Sequence, residues 1–465
     1  MNVCRSMLLA PLLSLMAALA VADEVSLPQH ERVELQNGTV LLLSEKHDVP
    51  LIGLSAFVRG GAIADPDGLD GLSSLLADLM KHGAGERDAA TFAEATAAVG
   101  GELSIAAGLE GLSVSADFMA RDAELMIELV ADVLQRPTLD TEEFEKLRDR
   151  SINLVKATKG SNPGDLLPDY GNAFLFGPHP YGDPVGGNEA SLEEIAHEDL
   201  LRYYEDFVGG DRLIIAVVGD YNLAAMKERL TSAFGEWRAA GAPLPVLSAA
   251  PRISGRRVLL VDAPGATQTY FWLGNVGVAI DYPRRADLNL ANTLFGGRFT
   301  SMLNTKLRVN AGLTYGARSV LRRPSKPGPV VISSYTQTET TTDAIDMAID
   351  VLRDLHSSGV DDDMLASARN YIMGQFPPRL ETAAQLAAQF LMLERFGLNV
   401  AYINEYGAAL AAASSESVAV AIDEVYPSAD DLTLVLIGDA SKIREAVSEY
   451  GPVTEMSIDA PRFRP

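Results

Sequence analysis

Two copies of one α+β module, joined end to end by a linker, is the fold class that this 465-residue sequence predicts, on three observations. The segment Asp211-Arg-Leu-Ile-Ile-Ala-Val-Val-Gly-Asp220 returns as Asp430-Asp-Leu-Thr-Leu-Val-Leu-Ile-Gly-Asp439, so the terminal Asp residues stand 219 positions apart (220 to 439). Asp132-Val-Leu134 returns as Asp350-Val-Leu352 at an offset of 218 (132 to 350). Two nearly equal offsets argue for duplication of one large module, because chance matches would scatter; the period is far too long for a solenoid. Third, the segment from Arg238 to Pro251 is rich in Ala, Pro and Gly and has no periodicity, which marks a linker.

Composition bounds what such a chain can be. It is 47% hydrophobic and 22% charged, the balance of a folded protein. Lys plus Arg number 38 against 63 Asp plus Glu, and a net charge of −25 makes phosphate backbones poor partners, so no nucleic-acid role is expected.

The elements follow in order. Residues 1–22 read as a signal peptide: Arg5, an apolar run from Met7 to Leu19, then small residues offering cleavage after Ala20 or Ala22. The run is short for the roughly 20 residues of a membrane span, so the mature chain is expected to be exported, with no span and most simply in a bacterial periplasm. The single Cys, Cys4, lies inside that segment and ahead of the apolar run, which leaves the mature chain without disulfides, thiol chemistry or a lipidation site. The N-terminal half, 23–237, begins with a strand pair over Arg32–Leu43 that turns at Asn37-Gly38 and continues with a strand at Leu51–Gly60. Helices are predicted near Leu69–Lys81 and at Arg121–Leu134, Thr141–Thr158 and Ser191–Phe207, before the closing strand Leu213–Val218. A linker at 238–256 then leads to a second half, 257–465, that reads alike. Helices gathered between antiparallel-type strands give α+β layers rather than a βαβ array.

The motif order is specific. Asn37-Gly38, Arg59-Gly60-Gly61, Gly71-Leu72 opening a helix, His179-Pro180-Tyr181 and the Val-Val-Gly-Asp strand occur in turn, followed by Phe295-Gly-Gly-Arg-Phe-Thr-Ser-Met-Leu303, Leu307-Arg308 and Gly312-Leu-Thr-Tyr315. In this order, from about residue 30 to 450, the chain resembles the pitrilysin/insulinase family of zinc peptidases, including its processing-peptidase members. The resemblance implies an HxxEH helix after Gly71-Leu72, with two His ligands and a Glu base. Here those positions hold Ser74, Ala77 and Asp78, and the third ligand position, on the helix around Phe144–Val155, falls near Leu154. One carboxylate with Ser, Ala and Leu can neither hold zinc in a three-ligand site nor accept a proton from water.

The histidines offer no replacement. His82 is expected to cap carbonyls at the end of its helix. Glu193 and His197 share a face at i, i+4 as an exposed pair, His179 between two prolines is structural, and His30, His47 and His356 have no partner at ligand spacing. The family's second functional element survives: the resemblance implies that Arg308 and Tyr315 bind the substrate peptide and stabilise its oxyanion. On spacing alone, Arg308 would instead be a helix cap and Tyr315 a packing aromatic at a strand start. The resemblance further implies that Gly296-Gly297, near the place of a longer Gly-rich loop in the non-catalytic processing-peptidase subunit, touches substrate, with a helix C-cap and turn as the plain alternative.

The expected function is therefore that of a non-catalytic, substrate-binding subunit of an exported heterodimeric peptidase. It binds no metal itself, and zinc is expected in a homologous partner subunit that carries HxxEH; the substrates are peptides or unfolded segments. A non-enzymatic scaffold or peptide-binding protein of the same fold is the alternative. A stand-alone zinc peptidase is disfavoured by Ser74, Ala77 and Asp78.

Overall fold

Leucine-rich and β-branched runs pair into two six-stranded sheets in the computed structural model, which describes residues 26–465. The signal-peptide reading, with Cys4, Arg5 and the apolar run, falls outside the described residues. The first half comprises β1 (Glu31–Glu34), β2 (Val40–Glu45), β3 (Leu51–Arg59), α1 (Leu72–Leu79), the short pair β4 (Gly83–Ala84) and β5 (Arg87–Asp88), α2 (Ala89–Ala98), β6 (Glu102–Gly108), β7 (Gly111–Met119), α3 (Ala123–Gln135), α4 (Thr141–Ser161), α5 (Leu167–Phe176), α6 (Glu189–Glu194), α7 (His197–Phe207), β8 (Leu213–Gly219) and α8 (Leu223–Phe234). The second comprises β9 (Arg257–Asp262), β10 (Gln268–Val276), α9 (Arg285–Asn292), β11 (Ala317–Leu321), β12 (Pro329–Gln337), α10 (Thr341–Ser358), α11 (Asp362–Gln375), α12 (Ala383–Phe396), α13 (Ala401–Asn404), α14 (Tyr406–Ala412), α15 (Ser415–Val425), β13 (Thr433–Gly438), α16 (Ala440–Val447) and β14 (Val453–Ser457).

The sheets run β1-β2-β8-β3-β7-β6 and β14-β9-β13-β10-β12-β11, so the repeat seen in sequence is a repeat of topology in five strands, while the edge strands differ: β1 pairs antiparallel with β2, whereas β14, from the chain's end, pairs in parallel with β9. The closing strands β8 and β13 occupy equivalent places. They pair in parallel with β2 and β9 and antiparallel with β3 and β10, so each sheet is mixed rather than purely antiparallel. Residues 238–256 hold no helix or strand between the sheets, and Asn275 pins their end by bonding both Ile253 N (2.9 Å) and Ile253 O (2.8 Å).

β2 and β8 are continuous apolar runs because each sheet is covered on both faces. Leu41 and Leu43 enter one core with α1, α3 and α4, whereas Val40 and Leu42 enter another with Leu386 and Phe390 of α12, a helix from the second half. The exchange is reciprocal: α5 of the first half lays Leu167 and Tyr170 against Trp272, Val435 and Ile437 of the second sheet. Glycine permits the close approach. A Cβ on Gly53 of β3 would stand 2.4 Å from Ala384 N of α12, and one on Gly171 of α5 would stand 2.8 Å from the Trp272 ring.

A buried carboxylate ties the halves together. Glu110, at the β6–β7 turn, accepts from Tyr181 Oη (2.6 Å), Ser325 N (2.9 Å) and Arg395 Nη2 (2.9 Å). Burial alone would push Glu110 up, but the hydrogen bonds from Ser325, Tyr181 and Arg395 outweigh it and hold the carboxyl below its ordinary value. This gives the His179-Pro-Tyr181 motif its role. His179 Nδ1 accepts from Tyr181 N (3.1 Å) and its Nε2 bonds Ser248 O (2.9 Å), which aims the phenol at Glu110.

Candidate functional site

α1 starts where Gly71 takes a positive φ of 96°, and a Cβ there would lie 2.8 Å from the Gly187 backbone. Asp65 accepts from Gly71 N (3.0 Å) and Ser73 N (2.9 Å), satisfying two N–H groups that the helix leaves free. Burial of its carboxyl pushes Asp65 up to about 8, against the pull of those bonds. The helix it anchors buries Ala77, leaves Ser74 and Asp78 half-buried, and engages Asp78 with Lys81 Nζ at 2.9 Å. Zinc does not fit here: the one carboxylate holds an ammonium, and the residue at the base position is an apolar core member. Leu154 is 66% exposed, whereas the adjoining Val155 packs partly against two cores. The inward residue at this point of α4 is thus Val155, and neither side chain ligates a metal. No cluster of three or more His, Cys, Asp or Glu residues suited to a metal occurs among the described residues.

Several histidines sit differently from expectation. His82 does not cap carbonyls: its Nδ1 bonds Glu143 Oε2 of α4 at 3.1 Å. Glu193 and His197 do not share a helix face, because the predicted helix breaks at Ile195–Ala196, where the Asp199 carboxylate accepts from Ala196 N and starts α7 anew. Glu193 stands 3.7 Å from Lys156, and His197 bonds Leu139 O at 2.7 Å. His47 and His356 do have carboxylate partners, Asp220 (2.7 Å) and Asp423 (3.1 Å), supplied from 173 and 67 residues away and therefore invisible to local spacing. His30 packs on the Phe390 ring at 4.4 Å.

The second element lies between α9 and β11, where the backbone forms wide π-helical turns at Thr293–Gly297 and Asn304–Asn310. Such turns are rare and concentrate at functional sites. Arg308 lies within the second turn, with its guanidinium carbon 4.6 Å from the Tyr315 ring centre and 4.7 Å from that of Phe299. Tyr315 precedes β11 and is 75% exposed, so it is not a packing aromatic. It borders a cavity of about 400 Å³ lined also by Gln268, Tyr335, Gln337 and Thr340. Gln268 leads on to an 890 Å³ cleft between the halves, bounded by Lys156, Lys159, Gly265 and Tyr270. The Gly296-Gly297 expectation needs correction. Gly296 is buried, and a Cβ there would stand 2.2 Å from Ser319 N, so its role is close packing on β11; only Gly297 is exposed. Sequence reading missed Phe299 and Glu110, whose partners are set by tertiary contacts.

Comparison with known proteins follows the same lines. Residues 40–185 match the insulinase (peptidase family M16) model and residues 194–372 match the peptidase M16 inactive domain. The chain is 22% identical over 352 residues to an uncharacterized zinc protease, YmxG, of Bacillus subtilis (strain 168), spanning 76% of this chain and 85% of that one. It is 23% identical over 376 residues to a non-peptidase homolog, YmxG, of Helicobacter pylori, spanning 80% and 85%. A peptidase M16 inactive domain from Pseudomonas fluorescens superposes with a TM-score of 0.81 at 20% identity, covering 88% of this chain and 98% of that one.

Proposed function

The chain belongs to the insulinase family of peptidases, family M16, and from that premise we propose that it is a non-catalytic, substrate-binding subunit of an exported heterodimeric peptidase. The observation that carries the proposal is asymmetry. The metal-binding helix has lost its chemistry at Ser74, Ala77 and Asp78, while Tyr315 stands exposed beside a cavity with an uncharged lining and the half-buried Arg308 lies against its ring. A half-site with substrate donors and no metal has a use beside a complement, namely a homologous subunit with intact HxxEH. The match to a domain described as inactive and the likeness to a non-peptidase homologue support the non-catalytic part.

In this reading the chain's own residues bind and orient. The Arg308 guanidinium grips a peptide carbonyl with donors in fixed geometry, and the Tyr315 phenol donates one hydrogen bond to the oxygen on which negative charge collects. Substrates are peptides or unfolded segments, because a cleft between halves admits an extended chain and not a folded domain.

Co-expression with an HxxEH homologue from the same genome, followed by size exclusion, metal analysis and a quenched-peptide assay, tests the proposal. The expected result is a stable 1:1 complex with zinc in the partner alone and peptidase activity in the pair alone. Separate elution at micromolar concentration, with the partner equally active by itself, overturns it. Stoichiometric, chelator-sensitive zinc in this chain would overturn it too.

A further inference from the structure

Arg308 is flanked by two aromatic rings, of which only Tyr315 belongs to the pair already assigned. The other is Phe299, whose ring centre lies 4.7 Å from the guanidinium carbon although its side chain is 61% exposed. Exposing a phenylalanine to this degree forgoes the stabilisation of burial, so its placement over a cation calls for an account. No carboxylate pairs with Arg308 among the described residues, in a chain where acidic side chains outnumber basic ones by 63 to 38. Among the described residues no side chain or carbonyl accepts from its N–H groups, which stay open to solvent or to a ligand.

The backbone contributes to this arrangement. In the π-helical turn Asn304–Asn310, Ala311 N bonds Lys306 O at 3.1 Å, a five-residue span, and Leu313 N closes on Leu307 O at 2.8 Å. Phe299 precedes the turn and Tyr315 follows it, so the two rings reach Arg308 from opposite ends of one excursion between α9 and β11. A free arginine side chain samples many rotamers, and holding it before a ligand arrives removes an entropy cost from binding. A ring face over a guanidinium supplies that restraint without consuming the in-plane donors.

Resting on the reading of Arg308 as a substrate-binding group, we propose that Phe299 is a positioning residue: with Tyr315 it holds the guanidinium face-on, so that the free N–H edges meet a carbonyl or carboxylate oxygen of a peptide. The uncharged lining of the neighbouring cavity, Gln268, Tyr335, Gln337 and Thr340, fits the main-chain and neutral polar groups that would flank that oxygen. The ligand class is therefore an extended peptide recognised through its backbone oxygens.

The test reads the order of the Arg308 Nε–H group by NMR relaxation in the full chain, with the resonance identified by Arg308→Lys. In the wild-type chain the group is restricted. Phe299→Ala and Phe299→Leu free it, while Phe299→Tyr, which restores a ring face, keeps it restricted. Equal order in wild type, Phe299→Ala and Phe299→Leu overturns the inference whatever the assembled complex does, and retention in Phe299→Leu alone overturns the ring-face explanation. In the complex with the HxxEH subunit, Phe299→Ala raises the Michaelis constant about two- to fivefold with turnover unchanged, the range expected of one exposed cation–π contact. Freed motion at Arg308 with an unchanged Michaelis constant would count against the substrate role of Arg308, and so against the proposed function, while leaving the positioning role standing.

Discussion

On the proposed function, the Tyr315 phenol donates to a developing oxyanion, a bond worth about 100- to 1,000-fold in turnover, so the expected outcome of Tyr315→Phe is a loss of that order in the reconstituted complex with assembly intact. Kinetics of the pair check it, and unchanged turnover removes the oxyanion role from this residue. Glu110 belongs to stability. Glu110→Ala leaves the Arg395 guanidinium and the Tyr181 phenol without their shared acceptor, and costs about 3 kcal/mol or more, read as a lowered urea midpoint. Because its folded-state pKa is depressed, the Glu110 contribution is complete above the ordinary glutamate value and is lost as pH falls through the lower folded value. The Glu110→Ala penalty should therefore shrink in acid, below about pH 4.3.

Among the elements, α5 and α12 are the ones whose position no local pattern reveals. Each packs on the sheet of the opposite half. Gly53→Ala puts a methyl group into the α12 backbone at Ala384, which cannot move as a side-chain tip could. It should destabilise the protein by about 1–3 kcal/mol. Ala→Gly changes elsewhere on β3 would lack this signature. Proteolysis near α12 should quicken in Gly53→Ala if the helix lifts from the sheet; denaturant curves and limited proteolysis check both. The helix predicted at Thr141–Thr158 is α4, whose start is capped locally by Asp140 accepting from Glu143 N at 3.0 Å; α2 and α8, capped as locally by Asp88 and Asn222, were not predicted. The break between α6 and α7 was not legible, because an apolar pattern continues through Ile195 while Asp199 caps the second helix.

At the scale of the molecule, buried carboxyls set the pH response. Burial raises Asp65 to about 8 and Asp169 and Asp183 to about 6 each. A carboxyl with a raised folded-state pKa binds its proton more tightly when folded, so its contribution is complete below the unfolded value and disappears as pH rises through the folded value. Between about pH 5 and 8.5 stability should therefore fall, reinforced by self-repulsion at a net charge of −25. Calorimetry should find the higher melting temperature on the acid side of neutrality; a maximum above pH 8 would contradict the raised value of Asp65.

The duplication and the α+β class were readable directly from the sequence, because repeats and periodicity are one-dimensional facts, whereas the reading of Ser74, Ala77 and Asp78 as vacated ligand positions and the candidacy of Arg308 and Tyr315 came from the resemblance to the family. Tertiary structure alone decided that Gly296 is a packing glycine, that Val155 rather than Leu154 turns inward, that Phe299 flanks Arg308, and that each half covers the other's sheet. Those facts depend on atoms brought together from distant positions, as when Glu110 meets Arg395 across 285 residues. No spacing along the chain encodes such a contact, since only the folded packing of two sheets and two exchanged helices brings its partners within reach.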